Sequence, residues 1–102
     1  MVTSYVRPSY SLLSIQEAFR SISDLRMTLS ARQHAFSLGL DDFEIIHVIQ
    51  AISTTDFYKS MPSKKWPRSE YQDVYKVHWN GLYLYIKFQR IHGYVVVSFK
   101  TV

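Results

Sequence analysis

At Ile52 the spacing of apolar residues changes from helical to alternating, and a chain that switches period once has few folds open to it. Before the switch, apolar side chains recur every three or four residues. Ile15, Phe19, Ile22 and Leu25 make one stripe, and Ala31, His34, Ala35 and Leu38 make a second. Phe43, Ile46, Val48, Ile49 and Ile52 make the third and most apolar, so the third helix should be the most buried. After the switch, residues 56–61 fit a first strand, and residues 71–79, 82–91 and 94–101 alternate. Asn80-Gly81 and His92-Gly93 supply the tight turns between the last three strands. Residues 62–69 (PSKKWPRS) hold two prolines and a charge cluster, so they read as a loop. Each helix has one stripe to bury and the sheet has one apolar face, so the two must cover each other. The expectation is an α+β fold: three N-terminal helices packed on one face of a C-terminal antiparallel sheet, in one domain spanning 1–102.

Local signals place the helix ends. Ser14 with Glu17, and Ser30 with Gln33, fit the capping box, in which two side chains satisfy free backbone N–H groups reciprocally. Asp41 or Asp42 caps the third helix, and Gly39 suits the end of the second. Residues 1–13, with Pro8 and several Ser and Tyr, read as an extended arm.

Several function classes drop out. With 47% hydrophobic and 20% charged residues the chain is globular rather than disordered. No apolar run approaches the length that spans a bilayer, and residues 45–52 are interrupted by His47 and Gln50. The first ten residues lack the pattern of a signal peptide. The absence of cysteine excludes disulfides and thiolate metal sites and fits a reducing cytoplasm. Three glycines leave no room for a phosphate-binding loop, and no His, Asp or Glu cluster has metal-ligand spacing. His34 and His47 read as packing or surface residues, and His92 as part of a turn.

Charge divides with the period. Arg7, Arg20, Arg26 and Arg32 face five carboxylates in residues 1–52, a net −1. Lys59, Lys64, Lys65, Arg68, Lys76, Lys87, Arg90 and Lys100 face three carboxylates in residues 53–102, a net +5. A polyanion such as nucleic acid would therefore meet the sheet half. Strand alternation sharpens this. Leu82, Leu84, Ile86 and Phe88 share one side with Tyr75, Val77 and Trp79 and with Val95, Val97 and Phe99. The opposite side carries Gln72, Lys76, His78, Tyr83, Tyr85, Lys87 and Lys100, with Val96 and Ser98. Lysines suit phosphates, and tyrosines offer stacking surfaces and exchangeable protons. An ordinary solvated sheet face has the same residue types, because antiparallel sheets are often wet on one side. The loop 63–68 interleaves cations with Trp66, which suits single-stranded RNA.

Three motifs then carry a resemblance. Thr55-Asp56-Phe57-Tyr58-Lys59-Ser60-Met61, Gln72-Asp73-Val74-Tyr75, and Ile91-His92 followed by Val97-Ser98-Phe99-Lys100 occur in the order and spacing of one family. Leu38-Gly39-Leu40-Asp41 extends the match into the helices. Over residues 7–102 the chain resembles the motility quorum-sensing regulator (MqsR) toxins of bacterial type II toxin–antitoxin pairs, with Tyr71 where the family often has Trp. The resemblance implies a fold related to the RelE/YoeB toxins and a ribosome-independent, sequence-specific endoribonuclease that cuts mRNA and arrests growth. It implies Lys59, Gln72, Tyr85 and Lys100 as catalytic residues. Counting forward from Gly81 puts Tyr83 in place of Tyr85, and counting back from Ile91-His92 selects Tyr85. Tyr83, Lys87, Lys76, Lys64, Lys65 and Arg68 are the expected RNA-binding residues. The resemblance further implies no metal or cofactor on this chain, a cytoplasmic location, a zinc-binding antitoxin of MqsA type, and a toxin–antitoxin complex on operator DNA. The residues alone also fit a non-catalytic nucleic-acid-binding regulatory module, which would bind RNA or DNA without cutting.

Overall fold

A computed structural model describes residues 5–64 and 70–102. Among these, α1 (Leu12–Ala18), α2 (Leu29–Ser37) and α3 (Asp42–Ala51) precede β1 (Phe57–Pro62), β2 (Tyr71–Trp79), β3 (Leu82–Arg90) and β4 (Tyr94–Thr101). Each strand pairs antiparallel with the next, giving one sheet in the order β1-β2-β3-β4. Asn80 and Gly81 both have positive φ, 45° and 80°, as the two-residue turn between twisted strands requires.

The helices begin earlier than the capping patterns suggest. Ser11, not Ser14, caps α1 by accepting from Ser14 N. Thr28, not Ser30, caps α2 by accepting from Ala31 N. Asp41 caps α3, accepting from Glu44 N at 2.9 Å. The first stripe does not run as one helix to Leu25. α1 stops at Ala18, and a 3-10 turn at Ile22–Asp24 follows, where Ser21 Oγ bonds Ser23 and Asp24 side chains. Serine hydroxyls that bond locally compete with the helical ladder, and Ile22 is left exposed. Gly39, at φ +83°, closes α2: its N–H donates to Phe36 O and that of Leu40 to Ala35 O, the paired bonds of a Schellman end.

The core lies between the helices and one sheet face. Ile15, Phe19, Ile45, Val48 and Ile49 meet Tyr75, Leu84, Ile86, Phe88 and Phe99, and all are at most 1% exposed. Four of the ten α3 residues are buried, more than in α1 or α2, though Phe43 points outward. Gln16 Nε2 donates to Ile49 and Ile52 carbonyls while Gln50 Nε2 donates to Gln16 and Phe19 carbonyls, which locks α1 to α3.

Both outer strands are partly covered. Tyr5 forms an antiparallel bridge to Ser60 of β1, and Met27 a parallel bridge to Val96 of β4. The extended arm is thus anchored. The Asp73 carboxylate, fully buried on the core side, accepts from Ser9 N and Tyr10 N, and Tyr10 Oη donates to Tyr71 O at 2.6 Å. Covered edges resist pairing with other chains.

Two bulges correct the simple alternation. In β4, Phe88 pairs with Val96 and Lys87 with Ser98, so Val97 is the extra residue. Val96 therefore shares the core side with Phe99, while Val95 pairs with Gln89 on the open side. In β1, Phe57 pairs with Tyr75 and Lys59 with Val74, so Tyr58 is the extra residue.

Candidate active site

The register builds the open face in rows. Directly opposed residues on antiparallel strands point to the same side. One row is Lys59–Val74–Lys87–Ser98, and the next is Lys76–Tyr85–Lys100. Lys59, which sequence alone could not assign to a face, thereby joins the open one. Val74 is fully buried yet stands outside the core cluster, on the open side in the row between Lys59 and Lys87.

These rows form a cleft of about 390 Å³ lined by Tyr58, Lys59, Lys76, Tyr85, Lys100 and the chain end. Lys59 Nζ lies 5.3 Å and Lys76 Nζ 3.7 Å from the Tyr58 ring centre. Lys100 Nζ lies 5.2 Å and Lys87 Nζ 5.8 Å from the Tyr85 ring centre. Ring faces are negative, so the tyrosines hold several ammonium groups close together on one surface. No acidic side chain lines this cleft among the described residues. Burial, then the nearby Tyr58 phenol, pushes the Tyr85 hydroxyl above its ordinary value of 10.0. A tyrosine at its ordinary value is already a neutral phenol at physiological pH, and this shift is in the same direction, so Tyr85 carries a proton to donate.

Among the described residues, no cluster of three or more His or carboxylate side chains could hold a metal ion. The groups that line the cleft are ammonium ions and phenols. That set suits an anionic group whose charge grows during reaction.

The four residues assigned to catalysis do not all meet in this cleft. Lys59, Tyr85 and Lys100 do. Gln72 lines a neighbouring cleft and donates through Nε2 to Gln89 Oε1 at 3.0 Å. Tyr83 belongs to a third, where its ring stacks on His78 with centres 4.2 Å apart.

The sequence matches the family model described as "Motility quorum-sensing regulator, toxin of MqsA" over residues 7–101. The chain belongs to the MqsR toxin family. It is 35% identical, over 94 residues covering 92% of this chain and 95% of the relative, to a protein of Escherichia coli (strain K12) named "mRNA interferase toxin MqsR".

In this MqsR-family chain, Tyr85 sits directly between Lys76 and Lys100, whereas Tyr83 pairs with His78 one row away. Geometry thus separates the two tyrosines that counting left as alternatives. Lys76, expected only to bind RNA, lines the same cleft as Lys59. Lys87 and Lys64 line the neighbouring cleft, and Lys65 and Arg68 lie outside the described residues, as do Trp66 and Pro67. Sequence reasoning passed over Tyr58. Strict alternation sends neighbours to opposite faces, and only the β1 bulge lets Tyr58 and Lys59 line one cleft. Its place beside Lys59 in the first motif was the available signal. Among the described residues no helix is long and apolar enough to cross a membrane.

Proposed function

We propose that this chain is the toxin of a toxin–antitoxin pair, an endoribonuclease that cuts mRNA without a metal ion. The cleft that gathers Lys59, Lys76 and Lys100 around two tyrosines carries the reading. In the reaction the ribose 2′-oxygen bonds to the adjacent phosphorus as its proton passes to a solvent water. The bond from phosphorus to the 5′-oxygen breaks, leaving a 2′,3′-cyclic phosphate and a 5′-hydroxyl. Lys59 and Lys100 stabilise the charge gained by the phosphoryl oxygens, with Lys76 beside them. Tyr85, a neutral phenol, donates its proton to the departing 5′-oxygen. Gln72 orients the substrate from the neighbouring cleft.

The whole chain acts as one domain in the cytoplasm. Its family description names the partner, MqsA, and the proposal extends to the pair's acting together on operator DNA. The test is direct. Purified protein is incubated with a defined RNA in excess EDTA, and the cut ends are mapped. Cyclic phosphate and 5′-hydroxyl ends, lost in Lys59→Ala, are the expected result. Salt-dependent binding with no scission would leave a non-catalytic RNA-binding module instead.

A further inference from the structure

The cleft that holds His78 and Tyr83, about 300 Å³, opens beside the cleft of lysines. Thr55 and Asp56, just before β1, line it together with His78 of β2 and Tyr83 of β3. Tyr58 and Lys76 line both clefts, so one wall serves the two. His78 and Tyr83 are directly opposed across the strands, and their rings lie 4.2 Å apart at 7° to one another. Both side chains are exposed, Tyr83 by 41%. β2 lies between β1 and β3, so Tyr83 stands behind His78 as seen from Thr55 and Asp56.

Three observations fit this space to the ring of a nucleobase. The first is the stack. A lone aromatic side chain on an open strand turns among its rotamers. Backed by Tyr83, the imidazole of His78 keeps one flat face toward the cleft. Such a face pairs with another flat face, and every base has one. The second is charge. Asp56, the carboxylate in the wall, accepts from Ser53 N at 2.8 Å and is engaged locally. Lys76 stands at the boundary with the cleft of lysines, where a phosphate would pass. The third is spacing. Lys76 and His78 are one same-face step apart on β2, about 6.7 Å. A phosphate held among Lys59, Lys76 and Lys100 leaves the adjoining nucleotide within one such step, over His78.

We propose that His78, backed by Tyr83, is a stacking platform for the base of a nucleotide adjoining the cut phosphate. Stacking engages the face of a base and not its edge, so this subsite adds hold on single-stranded RNA and not sequence preference. The proposal rests on the reading of the cleft of lysines as an RNA-cutting site.

The test uses the full chain and a defined RNA that wild type cuts at one mapped bond in EDTA. An abasic ribose replaces one nucleotide at a time, at the two positions on either side of that bond. It removes the base and keeps the phosphate and the 2′-hydroxyl. At one of these positions the missing base should lower kcat/KM of wild type by roughly 5- to 150-fold, the range of base–aromatic stacking. In His78→Ala the same missing base should matter by less than about 2-fold, because the platform is already gone. His78→Phe keeps a flat ring and should restore the wild-type sensitivity at that position. A pair that only braces the sheet would change the melting temperature and leave the sensitivity to the missing base in place. The proposal is overturned if His78→Ala, folded by circular dichroism, keeps that sensitivity, if His78→Phe fails to restore it, or if no single missing base slows wild type. Should His78→Ala not fold, Tyr83→Leu, read in the same way, decides. In each of these cases cutting by wild type leaves the ribonuclease reading intact. A wild-type protein that cuts nothing overturns both.

Discussion

The two faces of the sheet use the same strands and obey opposite rules. On the helix side, Ile86, Phe88 and Phe99 are fully buried and gather apolar neighbours. On the open side, the same strands carry Lys59, Lys76, Lys87 and Lys100, like charges within a few ångströms of shared tyrosine rings. Helix-side packing lowers the free energy of the fold. Crowding cations works against it, so the open side answers to a ligand that is itself negative. Stability and chemistry should therefore separate along the sheet normal.

The largest effect tests the helix side. Phe88→Ala should cost about 3–5 kcal/mol of unfolding free energy in a denaturant titration, through the cavity it leaves. Next, Lys59→Ala and Tyr85→Phe should each slow RNA cleavage by on the order of 10²–10³, the loss typical of one preorganised group. Their melting curves should stay close to that of wild type. A Lys59→Ala protein that unfolds as easily as Phe88→Ala would end the separation of faces.

A pH titration sharpens the contrast. Burial pushes the phenols of Tyr10 and Tyr75, on the helix side of the sheet and its arm, up to about 12. An unfolded tyrosine ionises near 10.0. The contribution of these groups to stability is full below about pH 10 and is lost as pH rises to about 12, because only the unfolded chain ionises in that window. Tyr75→Phe should flatten its share of that decline, measured by denaturant melts across the range. Smallest is the effect of a single open-face charge. Lys76→Ala should weaken RNA binding evenly across sequences and reduce the slope of log affinity against log salt by roughly 0.7.

Much of this was legible in the residues. β2 and β4 have the bounds their alternation gives, because turn residues close both ends of β3 and fix its partners. The open face was legible for the same reason: Gln72, Lys76, Tyr85 and Lys87 sit on strands with no bulge between their neighbours on β2 and β3. The helix starts were not, because Ser11, Ser14, Thr28 and Ser30 all have capping side chains, and tertiary packing chooses among them. Nor was the phase of β4. Val95, Val96 and Val97 are identical, so no contrast between them marks the bulge. The parting of Gln72 from Lys59 was hidden too, since periodicity assigns a face and not a position along it.

That extra valine gives β4 one residue of slack. Counted from the His92-Gly93 turn, the bulge absorbs a step before Ser98, Phe99 and Lys100 find their partners. Deleting Val97 would close the bulge and leave Phe99 opposite Ile86 and Lys100 opposite Tyr85. Chain length there can vary by one without turning the lysine away from the tyrosine. A one-residue alignment gap between Val96 and Ser98 is thus no argument against a shared site, whereas an added residue would have no such give.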